Sequence, residues 1–173
     1  FNIKNFKATN ELLGVKEGDC ILQSFCKSIE RSFLHPVYTA RVEADHFVSF
    51  VERDRISLKK LEEFCNQTFE IYNKKIRVHS CCGIFYLKDE NMPVAGMVDR
   101  AKLAKQHIVD EYLKPYAVFD QKMEMEYIDK AEIAAAFEEA IINEELEVYY
   151  QPIVDPVTGR IMSAEALVRW IHP

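Results

Sequence analysis

Five consecutive residues, Glu43-Ala44-Asp45-His46-Phe47, place two carboxylates and an imidazole side by side. Hard divalent cations take carboxylate oxygens, and imidazole is a common nitrogen ligand, so Glu43, Asp45 and His46 could form a metal set. The same residues read more simply as the solvated tip of a hairpin, with the metal set as the sharper alternative. A further carboxylate, Glu165, lies in a β-prone run with Arg169; alone it reads as a surface group. The five cysteines, Cys20, Cys26, Cys65, Cys81 and Cys82, are odd in number and lack Cys-x-x-Cys spacing, which favours reduced, packed thiols over a metal or redox centre.

The elements around these residues follow from periodicity. Pro36 to Glu52 alternates as two β-runs joined by Glu43-Ala44-Asp45-His46, without the Gly that a tight turn prefers. Before it, Phe1 to Phe6 reads as a strand end, Ala8 to Leu13 as a short helix stopped by Gly14, and Glu17 onward as a longer helix. In that helix Ile21, Leu22, Phe25, Ile29 and Phe33 recur at helical spacing and Asp19 caps the start. After it the spacing predicts a helix over Ser57 to Tyr72, a strand over Ile76 to Leu87 and a helix over Val94 to Val109. A short edge strand over Tyr116 to Phe119 completes the set. The order β-α-α-β-β-α-β-α-β predicts a mixed sheet covered by helices, an α/β (α+β) class. Gln121 to Glu145, free of Gly and Pro, predicts a connector helix with Ile133, Phe137 and Ile141 on one face. Leu146 to Val154 and Ile161 to Ile171, running into His172-Pro173, predict a C-terminal β-hairpin. The expected organisation is therefore a domain over 1–120, a connector over 121–145 and a second unit opening at 146–173.

Composition narrows the function. A net charge of −6 and a pI near 5.4 disfavour nucleic acid or an anionic membrane as the main partner. No stretch approaches the ~18 apolar residues of a membrane span, and no signal peptide opens the chain. The expected setting of this segment is cytoplasmic, with a membrane anchor elsewhere in a longer protein left open.

The first domain resembles the GGDEF domains of diguanylate cyclases. Arg41-Val42-Glu43-Ala44-Asp45-His46-Phe47 stands for Arg-x-Gly-Gly-Asp-Glu-Phe, and Phe1 to Lys7 for Asp-Ile-Asp-x-Phe-Lys. Asn10, Gly14, Gly18 and Asp19 fall on the Asn-Asp-x-x-Gly-x-x-x-Gly-Asp run. Ser80-Cys81-Cys82-Gly83-Ile84 falls on Ser-x-Gly-Ile, and Asp99 to Ala104 on Arg-Ala-Asp-x-Ala. The resemblance implies a palm-like, nucleotide-cyclase-like fold and a site that joins two GTP molecules with divalent ions held by carboxylates. Asn10 and Asp19 match positions that hydrogen-bond guanine; a turn residue and a helix cap are the plain alternative. Much of the implied chemistry is missing. Asn2 and Lys4 replace carboxylates, Glu43 and Ala44 replace glycines, His46 replaces an acid, and Val109 stands for a phosphate-contacting lysine. Leu34 and Val37 replace the Arg and Asp of the product-inhibition motif.

The second unit resembles the opening of an EAL phosphodiesterase domain, on Tyr-Tyr-Gln-Pro-Ile-Val-Asp at 149–155, the Thr158-Gly159 turn and Glu165-Ala166-Leu167-Val168-Arg169-Trp170. The resemblance implies that, in a complete EAL domain, Glu165 binds Mg or Mn, Gln151 and Leu167 contact cyclic di-GMP, and Arg169 meets a phosphate. A barrel of eight strands cannot close from this stretch, so the expectation is no phosphodiesterase activity and no cofactor in the fragment. Together these readings imply a catalytically inactive, degenerate GGDEF domain regulating or dimerising a bacterial cyclic di-GMP phosphodiesterase. Its expected partners are GTP, cyclic di-GMP in the longer protein and a second copy of the chain, without nucleic acid or membrane. The rivals are a purely structural interaction module and, last, an active cyclase.

Overall fold

The computed structural model describes residues 1–89 and 91–171. Glu90, His172 and Pro173 lie outside the described residues, so the expected close of the last strand on His172-Pro173 does too. The chain divides into two units, Phe1–Glu124 and Met125–Pro173.

In the first unit, β1 (Asn2–Ile3) leads into α1 (Phe6–Leu13) and α2 (Val15–Glu30), which meet at Gly14. Gly14 holds φ at 104°, a left-handed value that costs glycine no Cβ clash. Ile21, Leu22, Phe25 and Ile29 form the buried stripe of α2 predicted by their spacing. Asp19 is not the cap: α2 starts at Val15, its first-turn acid is Glu17, and Asp19 sits more than a turn in, exposed to solvent. The opening hairpin is present as β2 (Tyr38–Glu43) and β3 (His46–Phe50).

The helix expected over Ser57 to Tyr72 is a correction. It splits into α3 (Leu58–Phe64) and β4 (Asn66–Ile71), the latter hairpinned to β5 (Lys74–Ile84) with Asn66 opposite His79 and Ile71 opposite Lys74. Helical spacing holds only through Leu61 and Phe64. Beyond it Gln67, Phe69 and Ile71 alternate inward against exposed Thr68 and Glu70, a period of two. Tyr72 and Asn73 then take φ of 50° and 62°, the paired left-handed turn that joins twisted strands, and Asn is among the residues that tolerate it.

After α4 (Val94–Gln106), shorter than expected, β6 (Tyr116–Val118) pairs in parallel with Cys82–Ile84. The sheet order is β2-β3-β1-β5-β4, with β6 also on β5 and every other pairing antiparallel. This is the mixed, helix-flanked sheet expected, and it is palm-like and nucleotide-cyclase-like. One core cluster joins Ile3, Phe47 and Val78 to the α2 stripe; a second gathers Leu34, Leu61, Cys65, Cys82 and Tyr116. Cys65, Cys81 and Cys82 are buried, and all five thiols are free. Gly83 is fixed by packing: a Cβ there would lie 1.7 Å from the carbonyl oxygen of Ala101, so only glycine lets α4 approach β5 this closely.

The second unit holds most of α5 (Gln121–Ile142) and a hairpin of β7 (Leu146–Val154) and β8 (Ile161–Trp170). Phe137 meets Trp170 edge to face at 6.4 Å, and the Trp170 indole donates to Glu145 Oε2 at 2.8 Å. Asp155 Oδ1 accepts from the amides of Val157 and Thr158, both at 2.8 Å, and these bonds hold its carboxyl below the usual value. Gly159 closes the turn at φ 69°. Among the described residues no helix is long and apolar enough to cross a membrane.

Candidate functional site at the strand end and hairpin tip

The tip of β2–β3 is tied to β1 by backbone bonds. The Phe1 amino group donates to Phe47 O at 2.7 Å, Phe47 N donates to Phe1 O at 2.9 Å, and Ile3 N donates to Asp45 O at 3.3 Å. That register puts Asn2 opposite His46 on one side and Cys81 on the other. Within it Asn2 Nδ2 donates to Asp45 Oδ2 at 2.6 Å. Two residues that stand for cation ligands in the resemblance are therefore joined by an N–H, with the amide proton occupying the position between them. A neutral amide and one carboxylate offer a hard cation a poor donor set. Among the described residues no group of three or more His, Cys, Asp or Glu side chains could hold a metal ion.

The tip has found its own geometry without glycine. Ala44 takes φ 42°, the left-handed region disfavoured for a residue with a Cβ, and its carbonyl accepts from Arg41 Nε at 2.5 Å. Arg41 thus braces the turn from within its own strand, a role the sequence did not reveal. A register shift between Arg41 and Glu43 gives the strand its bulge, and the Glu43 side chain is exposed.

Lys4 projects its ammonium onto the carboxylate of Glu111. This bond raises the Lys4 pKa above the ordinary lysine value, so the cation is compensated rather than left bare at the strand end. Glu111 lies in the segment after α4, and nothing in its local sequence marked it. His46 faces α4; its Nδ1 is buried without a hydrogen-bond partner among the described residues. Burial, and then the nearby Lys105 charge, hold the imidazole below the ordinary histidine value. Phe47 is a core residue, edge-on to Phe25 at 5.3 Å. Val109, fully exposed beyond the end of α4, is not in the helix where it was expected. Leu34 is core and Val37 is exposed, and neither offers a charge.

Asn10 and Asp19 are brought to the junction of α1 and α2. Asn10 lies over Gly18, the chain neighbour of Asp19, so closely that a Cβ on Gly18 would sit 1.8 Å from Asn10 Oδ1. That oxygen is buried and has no partner among the described residues, whereas Asp19 is exposed.

In the second unit Gln151 stands directly opposite Glu165, Tyr149 opposite Leu167 and Glu147 opposite Arg169. Side chains two apart on a strand share a face, so Gln151, Glu165, Leu167 and Arg169 lie on one side of the hairpin. The sequence indicates the β8 alternation; only the register adds Gln151. All but the half-buried Leu167 are exposed, and Glu165 as a lone exposed carboxylate does not by itself make a metal site.

Comparison with known proteins identifies the family of both stretches. The chain is 25% identical over 177 residues to the bifunctional diguanylate cyclase/cyclic di-GMP phosphodiesterase MucR of Pseudomonas aeruginosa, covering 99% of this chain and 26% of that protein. It is 20% identical to the cyclic di-GMP phosphodiesterase NbdA of the same organism, over 99% of this chain and 23% of that one. An uncharacterized Synechocystis protein, sll1895, is 23% identical over 98% of this chain and 25% of its own length. The chain thus spans about a quarter of the length of these curated relatives. Residues 134–173 match the EAL domain model, and residues 1–107 match the model of the diguanylate cyclase GGDEF domain. With most of its length so matched, the chain belongs to the GGDEF domain family and carries the start of an EAL domain behind it.

Proposed function

We propose that this GGDEF domain does not form cyclic di-GMP and instead serves as a regulatory or dimerisation module of a longer protein that hydrolyses cyclic di-GMP. The observation that carries the reading is the 2.6 Å bond from Asn2 to Asp45. Phosphoryl transfer needs cations to neutralise charge on the phosphates, and here an amide proton stands between the two candidate ligands. The Lys4–Glu111 pair adds an ammonium where the family pattern has an acid. The names of the relatives favour hydrolysis of cyclic di-GMP as the activity of the longer protein, with Gln151, Leu167, Arg169 and Glu165 contributing to its substrate and metal face.

GTP is the ligand proposed for the first domain, at Asn10 and Asp19. The unpartnered Asn10 oxygen supports this, since a purine edge carries N–H donors that would satisfy it. Incubation with GTP and magnesium should yield no cyclic di-GMP, while calorimetry should show GTP binding that Asp19→Ala removes. Product formation would overturn the first part, and absence of heat at saturating GTP the second. The second reading, a structural module without nucleotide, is favoured by the shielding of Asn10 Oδ1 against Gly18. Its mark is self-association that GTP does not change.

A further inference from the structure

Beneath α4 lies a cavity of about 100 Å³, lined by His46, Val48 and Gly83 from the sheet and by Val98, Lys102 and Lys105 from the helix, among others. Its charge is one-sided. No carboxylate lines it, and neither lysine forms an ion pair among the described residues. Both lysines are half-buried, a setting in which ammonium groups are usually paired because partial desolvation disfavours the bare charge. His46 also lines the cavity, while its Nδ1 is itself shielded from solvent and without a partner among the described residues. The nearest acids are accounted for: Asp45 accepts from Asn2, and Glu43 is exposed at the tip. Phe1 also lines the cavity, and its backbone nitrogen donates to Phe47 O.

We propose that this cavity is a binding site for one compact oxyanion of the phosphate class, held by Lys102 and Lys105 with the His46 ring in its wall. Two ammonium groups offer only donors, which suits an acceptor-only ligand. Size favours a small ligand: sites for drug-sized ligands occupy roughly 300–1,000 Å³, and a single oxyanion suits the 100 Å³ here. Gly83 makes the site possible by letting α4 sit low enough on β5 to close it. The site uses none of Asn2, Asp45, Asn10 or Asp19 and stands independently of nucleotide binding.

The test is nitrogen-detected NMR of the His46 ring in the full 173-residue chain, titrated with inorganic phosphate at constant pH and ionic strength, with chloride as the reference anion. Phosphate should shift His46 saturably and chloride should not. Lys105→Gln and Lys102→Gln should each weaken phosphate about tenfold, the loss of one ion contact worth about 1.4 kcal/mol, with circular dichroism unchanged. Lys105→Arg should retain binding, and Asp19→Ala should leave it intact, so failure of a guanine pocket is read separately. A linear shift equal for both anions, or phosphate binding undiminished in both glutamine variants, would overturn the proposal. So would GTP binding at His46 as tightly as phosphate, because the site would then belong to a nucleotide.

Discussion

The protein contains two hairpins with polar tips and candidate ligand residues, and they differ in what their side chains already touch. At the β2–β3 tip several polar groups are taken up by the fold, Asp45 by Asn2 of β1 and Arg41 by the Ala44 carbonyl, and Phe47 anchors the strand in the core, while Glu43 stays exposed and His46 Nδ1 lacks a partner among the described residues. In β7–β8 the face carrying Gln151, Glu165 and Arg169 stands open, and its only strand partners among the described residues are each other. A candidate residue satisfied within its own domain has little left to offer a ligand. One left exposed on a regular strand keeps its capacity.

The largest break of this comparison is in the core beneath the first hairpin. Phe25→Ala should cost about 3–5 kcal/mol, the range for a fully buried phenylalanine, and urea unfolding should show it. Phe137→Ala in the second unit, where the ring is 45% exposed, should cost far less. Next comes Gly83→Ala, which drives a methyl into backbone of α4 and should cost about 1–3 kcal/mol or displace the helix, measured by the same unfolding curve.

Asn2→Ala removes one hydrogen bond to a carboxylate and should cost about 1.5–3 kcal/mol, toward the lower end because the site is only half-buried. Asn2→Asp sharpens the point. Two carboxylates would then face one another, and magnesium should raise the melting temperature of that variant and not of the natural chain. The smallest effect belongs to the second hairpin. The Asp155 carboxyl is held below its ordinary value, so its contribution is complete above about pH 4 and is lost as pH falls through the lowered value. Protection of the Val157 and Thr158 amides, corrected for the intrinsic pH dependence of exchange, should therefore fall in acid, and Asp155→Asn should abolish that fall.

Local patterns made much of this fold legible. Alternation located the β2–β3 and β7–β8 hairpins, helical spacing gave the α2 stripe, and ordered motif matches gave the palm-like sheet. The segment from Ser57 to Tyr72 was misread because Phe69 and Tyr72 continue a helical spacing begun by Leu61 and Phe64. The turn at Tyr72–Asn73 decides against it through pairing with β5, which no local window contains. The site was half legible for a similar reason. Residue types announced the loss of carboxylates at Asn2 and Lys4. The bonds that replace them reach across the register to Asp45 and across the chain to Glu111.

One strand governs how the first unit comes apart. β5 runs for eleven residues and borders β1, β4 and β6. Detaching any one neighbour leaves the other two still zipped to it, so its central amides should report only whole-unit opening, and a pulling force on either end would meet a single rupture rather than a staircase.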